Sequence, residues 1–118
     1  IGDLNYVQKF YLRADEAAAV DEMVDGLPFG GALKALVDEF NRAETLEAQL
    51  AHDADQLSFL VELKHLADMG HAAPPTWIPN VRKRLRTDFG QALADTILSV
   101  PSDQWWRQKF IDRSEQTK

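Results

Sequence analysis

At 118 residues the chain is one domain or part of one. Hydrophobic residues make up 45% and charged residues 27%, ordinary globular proportions that exclude wholesale disorder. The 19 acids against 13 bases give a formal net charge of -6, which repels phosphate backbones and disfavours nucleic acid as the main partner; the absence of cysteine excludes disulfides and thiolate ligands, so any metal must be held by His, Asp or Glu.

In chain order the signals are helical throughout, and the expected fold class is all-α. DLNYVQKFYL reads as a first short helix and ADEAAAVDEMVDG as a second, stopped at Gly26 with Pro28 beyond it. In FGGALKALVDEF the residues Phe29, Leu33, Leu36, Val37 and Phe40 recur at helical spacing, which predicts one buried stripe. Thr45 is placed to cap a long helix, LEAQLAHDADQLSFLVELKHLADM, which Gly70 ends and Pro74-Pro75 separates from the next helix. Thr76 then caps WIPNVRKRL with Pro79 in its first turn, Asp88 caps FGQALADTILSV, and Ser102 caps DQWWRQKFI. No apolar run approaches the roughly 20 residues of a membrane span, and the opening IGDLNYVQKF has neither the basic nor the apolar part of a signal peptide. No membrane partner and a cytoplasmic location are therefore expected. The chain does not open on Met, and its first residue reads as the interior of a longer protein.

The long helix is apolar on more than one face: Leu50, Ala54, Leu57 and Val61 form one stripe, while Phe59, Leu63 and Leu66 lie well round the cylinder. It reads as a core helix. Asp55 shares a side with Ala51, Ser58, Phe59 and Glu62, so its carboxylate is expected in partly apolar surroundings. An unpaired ion there costs several kcal/mol, and the charge needs hydrogen-bond donors, a metal, or an Arg or Lys from a neighbouring helix. His52 and Asp53 are adjacent, about 100° apart on a helix, and cannot both serve one ion without distortion. That doublet is the weaker candidate, with His52 facing solvent or a neighbouring turn.

The string AHDADQLSFLVELKHLADMG resembles the late helix of the HD-domain phosphohydrolases, in the branch similar to 5'-deoxynucleotidases, where an Ala-Asp-x-Leu segment supplies the last metal-binding aspartate. Here that segment is Ala54-Asp55-Gln56-Leu57. IGDLNYVQKFYL resembles the stretch just after the family's His-Asp pair, with Gly2, Asp3 and Lys9 at the matching positions; EFNRAETLEAQL and SDQWW also fit, so the likeness covers nearly the whole chain. The resemblance implies a helical bundle of the HD-domain type, incomplete at the amino terminus, with residues 1–118 as the carboxy-terminal part of a single HD domain. The family's first His and its His-Asp pair would precede Ile1. On this reading the absent amino-terminal segment is itself a partner, and the chain alone is inactive and binds metal poorly.

The implied activity is hydrolysis of a phosphomonoester, with (deoxy)nucleoside 5'-monophosphates as substrates and a divalent ion (Mn, Co or Mg) as cofactor. Asp55 is the implied metal ligand. Asp3 would position or deprotonate the attacking water, and Lys9 would offset phosphate charge. Each has a plainer competitor: Asp3 could cap the first helix and Lys9 could be a solvated lysine. Trp105 and Trp106 read as packing elements for the last helix, the basic run Arg82, Lys83, Arg84 and Arg86 as a solvated face, and His65 and His71 lack partners at ligand spacing. The alternative function is a non-catalytic helical interaction module in which Asp55 forms an ion pair and the tryptophans dock a partner. A homodimer is compatible with either.

Overall fold

Every regular element among the described residues is helical, as the periodicity predicts. The computed structural model describes residues 7–111 and divides into two units, one up to Glu39 and one from Phe40 onward. The first unit holds α1 (Gln8–Tyr11), α2 (Glu16–Val24) and most of α3 (Gly30–Arg42). Asp15 caps α2 by accepting from the Ala18 amide at 3.0 Å. Gly26, at φ +72°, takes the left-handed turn after α2, and Lys34 of α3 pairs with Asp21 of α2. The stripe expected to be buried along α3 is not: Leu33 and Val37 are half-buried, while Leu36 is 63% exposed and Phe29 and Phe40 are exposed too. Periodicity marks an apolar face, but burial needs a neighbour packed on it.

The second unit is organised by α4 (Leu46–Asp68), against which α5 (Pro74–Arg82) and α6 (Asp88–Ser99) pack. Thr45 caps α4 as expected, accepting from the Ala48 amide at 3.2 Å, and Gly70 ends it at φ +92°. Leu57, Leu60 and Leu63 of α4 meet Val81, Leu85 and Ala94, with Ile78, Ile97 and Leu98 at the margin. Leu60 is wholly buried, and burying one such side chain is worth about 2 kcal/mol. The inward stripe therefore runs through Leu57, Leu60 and Leu63 and not through Leu50, Ala54 and Val61, all of which are exposed. Among the described residues no helix is long and apolar enough to cross a membrane.

Three helix starts differ from the sequence expectation. α5 begins two residues before Thr76, with Pro74 and Pro75 in its first positions, where a missing N–H costs nothing. The Thr76 hydroxyl instead donates to the Ala73 carbonyl at 2.7 Å, and Pro79 lies within the helix. α6 is capped by Thr87, whose Oγ1 accepts from the Gly90 amide at 2.9 Å, leaving Asp88 in the first turn, where a negative charge favours the helix dipole. After α6 comes a short α7 (Gln104–Trp106), continued by a π-helical turn at Arg107–Ile111. Ser102 does not cap it; its amide donates to Asp68 Oδ2 at 2.8 Å. Trp105 and Trp106 do not fasten it either, being 66% and 46% exposed.

Gly90 of α6 lies directly against Asp53 of α4. A Cβ built there falls inside van der Waals contact with Asp53 Oδ2 and only 2.8 Å from Asp53 Cγ. In an exposed helix a glycine-to-alanine change gains about 1 kcal/mol from propensity. At this position overpacking dominates, and Gly90→Ala should cost about 2 kcal/mol net. Urea denaturation checks it: a stabilised variant would mean that the two helices can separate freely here.

Candidate functional site

The two aspartates of His52-Asp53-Ala54-Asp55 are divided by helix geometry. At 100° per residue they point about 200° apart, so one faces inward and the other outward. The inward one is Asp53, 1% exposed, in register with Leu57 and Leu60 on the core side. Its carboxylate accepts three hydrogen bonds from the start of α6: the Arg86 amide to Oδ1 at 2.7 Å, and the Thr87 amide and hydroxyl to Oδ2 at 3.0 and 2.6 Å. Thr87 Oγ1 in turn accepts from the Gly90 amide, so a buried carboxylate, a capping hydroxyl and a helix N-terminus form one chain of hydrogen bonds. Burial pushes the Asp53 pKa up from the usual 3.8, but the donors from Thr87 and the Arg86 amide, with the Arg86 charge, outweigh it and hold the group below that value.

Asp55 is exposed, as are Ala51, Ser58, Phe59 and Glu62 on its side of α4. The partly apolar surroundings expected for it belong to Asp53 instead. Among the described residues Asp55 has no cationic partner; its Oδ2 accepts from Gln56 Nε2 at 3.0 Å. Among the described residues Gln56 Oε1 is buried with no hydrogen-bond partner, a condition that costs about 1–3 kcal/mol. Asp55 is therefore an uncommitted hard oxygen donor, suited to Mg or Mn as one ligand of several. It does not make a site by itself: among the described residues no group of three His, Cys, Asp or Glu side chains could hold a metal ion.

Of the other residues singled out by sequence, Asp3 lies outside the described residues. Lys9 is exposed on α1 in the first unit, whereas Asp55 belongs to the second. His52 does meet a neighbouring turn: its ring stacks on Phe40 with centroids 3.9 Å apart, and Nε2 donates to the Phe40 carbonyl at 2.8 Å. His65 Nδ1 lies 3.4 Å from Ser102 Oγ. Arg82 pairs with Asp95 at 2.5 Å, in keeping with a solvated basic face. Asp68 is held below the usual carboxylate range by hydrogen bonds from Lys64 and the Ser102 amide, which prevail over its partial burial.

The structural residue missed in the sequence is Asp53. Its i, i+4, i+7 spacing to Leu57 and Leu60 carried the signal, together with a Thr and a Gly three apart at the start of a later helix. A family model described as HD domain matches residues 1–97, a span that includes Asp3, Lys9 and Asp55. No curated protein and no solved structure matches the chain.

Because the folded chain binds the Asp53 proton less tightly than the unfolded one, its contribution to stability is present above the ordinary value of 3.8 and is lost as pH falls through the lower folded value. Asp53→Asn keeps the shape but sets an amide NH2 against donors, and should cost about 3 kcal/mol at pH 7. The gap between variant and parent should narrow at pH 3. Urea unfolding at both pH values measures it, and an equal gap at both would show that the charge is not what matters.

Proposed function

From the premise that the chain belongs to the HD-domain family, whose members generally include metal-dependent phosphohydrolases, we propose that it serves a phosphomonoester hydrolase of the 5'-deoxynucleotidase-like branch. Its substrates are (deoxy)nucleoside 5'-monophosphates, and its cofactor is Mn, Co or Mg. The observation that supports this is Asp55: it lies within the matched span, faces outward, and is paired with no cation among the described residues. A structural aspartate would be engaged as Asp53 is.

In this reading Asp55 supplies one metal ligand, Asp3 orients and deprotonates the attacking water, and Lys9 offsets charge on the phosphate. A divalent ion, when bound, supplies Lewis acidity toward the phosphoryl oxygens and toward that water. Against a net charge of -6, a cation such as Lys9 would favour the approach of an anionic substrate. Asp53 has no part in the chemistry: its oxygens are taken by Arg86 and Thr87.

A second reading, a helical interaction module without activity, is favoured by the exposure of Trp105 and Trp106, since tryptophan is enriched at interfaces. Metal content separates the two. In the complete protein, with the amino-terminal segment that the resemblance implies, Asp55→Ala should lower divalent-ion affinity by about tenfold or more without lowering the melting temperature. Asp3→Asn should leave metal content near normal while phosphate release from nucleoside monophosphates falls about 100-fold or more. Elemental analysis and phosphate release check both. Unchanged metal content and phosphate release in both variants would favour the interaction module.

A further inference from the structure

The rings of Phe59 and Trp77 are about half exposed, and neither belongs to the core that α4, α5 and α6 share. With Leu63, Leu66 and Pro74 they line an open cavity of about 290 Å3 between the carboxy-terminal half of α4 and the start of α5. Its walls are almost wholly apolar. The one polar side chain on them is His71, whose ring makes no hydrogen bond among the described residues. A cavity of this size lies at the small end of ligand sites and takes a single ring system. Two aromatic walls favour a flat one, and the open side leaves the polar edge of such a ring in water or beside His71. Its place on the helix decides what carries that ring. Phe59 lies one turn, about 6 Å, beyond Asp55 on the same side of α4. A nucleoside monophosphate laid along that side with its base in the cavity carries its phosphate toward the segment that resembles the family motif.

We infer that Phe59, Trp77 and His71 form the base-binding part of the substrate site. The inference rests on the reading of the substrate as a nucleoside monophosphate, and it needs no cation at Asp55. Stacking reads the face of a ring and not its hydrogen-bonding edge, so the cavity favours substrates that carry a base while discriminating little among bases. Its lining holds no second polar side chain with which to tell one edge from another.

The test uses the complete protein, titration calorimetry with adenosine, guanosine and cytidine, which carry a base but no phosphate, and phosphate release from adenosine 5'-monophosphate. Trp77→Leu should weaken adenosine binding about tenfold or more and raise KM for the monophosphate by the same factor with kcat unchanged. Phe59→Leu should act in the same direction, whereas Trp77→Phe keeps a stacking face and should stay near the parent. Guanosine and cytidine should bind comparably to adenosine. Because both rings are half in water, all three variants should keep the parent's melting temperature. If adenosine does not bind, binds Trp77→Leu as it binds the parent, or is lost equally in Trp77→Phe, the base site is wrong, and phosphate release by the parent alone decides the proposed function. If adenosine binding depends on the Trp77 ring while the parent releases no phosphate, the base site stands and the hydrolase reading fails.

Discussion

A carboxylate buried between two helices holds the second unit in register. Asp53 has exchanged water for two backbone amides and a hydroxyl, all presented by the two residues at the start of α6. Backbone N–H groups at a helix start lack partners within the helix, and the partial positive charge there suits an anion. The cost of burying the charge is thereby offset, but only if Thr87 caps α6, Gly90 lacks a side chain and α4 keeps its rotation. Each condition depends on the others. The apolar contacts of Leu57 and Leu60 with Val81, Leu85 and Ala94 then form around a join whose geometry is directional, which burial alone does not provide.

That rotation separates a buried, bonded aspartate from an outward-facing one along a single helix. With Asp53 turned inward, Asp55 must point outward, because two residues advance the helix by about 200°. A shift of one residue would carry Asp55 toward the flank of the core and Asp53 away from its donors. The residue that belongs to the family's metal motif in the proposed function is therefore held outward by a neighbour with no direct part in the reaction. His52 adds a further restraint by clasping Phe40, which ties the end of α3 to the first turns of α4.

Much of this organisation is legible in the sequence. The helical class, the extent of α4, its Thr45 cap and its end at Gly70 all come from local rules and are found as expected. α5 starts at Pro74, three residues before the start expected from a Thr76 cap, because the Pro74-Pro75 pair fits the first helical positions without a capping side chain, and α6 starts at Asp88, one residue early, because Thr87 rather than Asp88 takes the cap. The larger difference is which aspartate is buried. A stripe drawn through Leu50, Ala54, Leu57 and Val61 places Asp53 at its edge, whereas the observed stripe places it at the centre. No pattern within α4 identifies the donors, which come from residues more than thirty positions later. The stripe of α3 and the Trp105-Trp106 pair show the converse: apolar spacing identifies a face without showing that anything covers it.

Amide hydrogen exchange reads the bond between Asp53 and the start of α6 directly. The Arg86 and Thr87 amides sit in a connection between helices, where exchange is ordinarily fast. If Asp53 holds them, they should exchange as slowly as amides beside Leu60 in α4, and Asp53→Ala should speed them selectively. Fast, loop-like exchange of both amides in the unaltered protein would contradict a buried carboxylate join between α4 and α6.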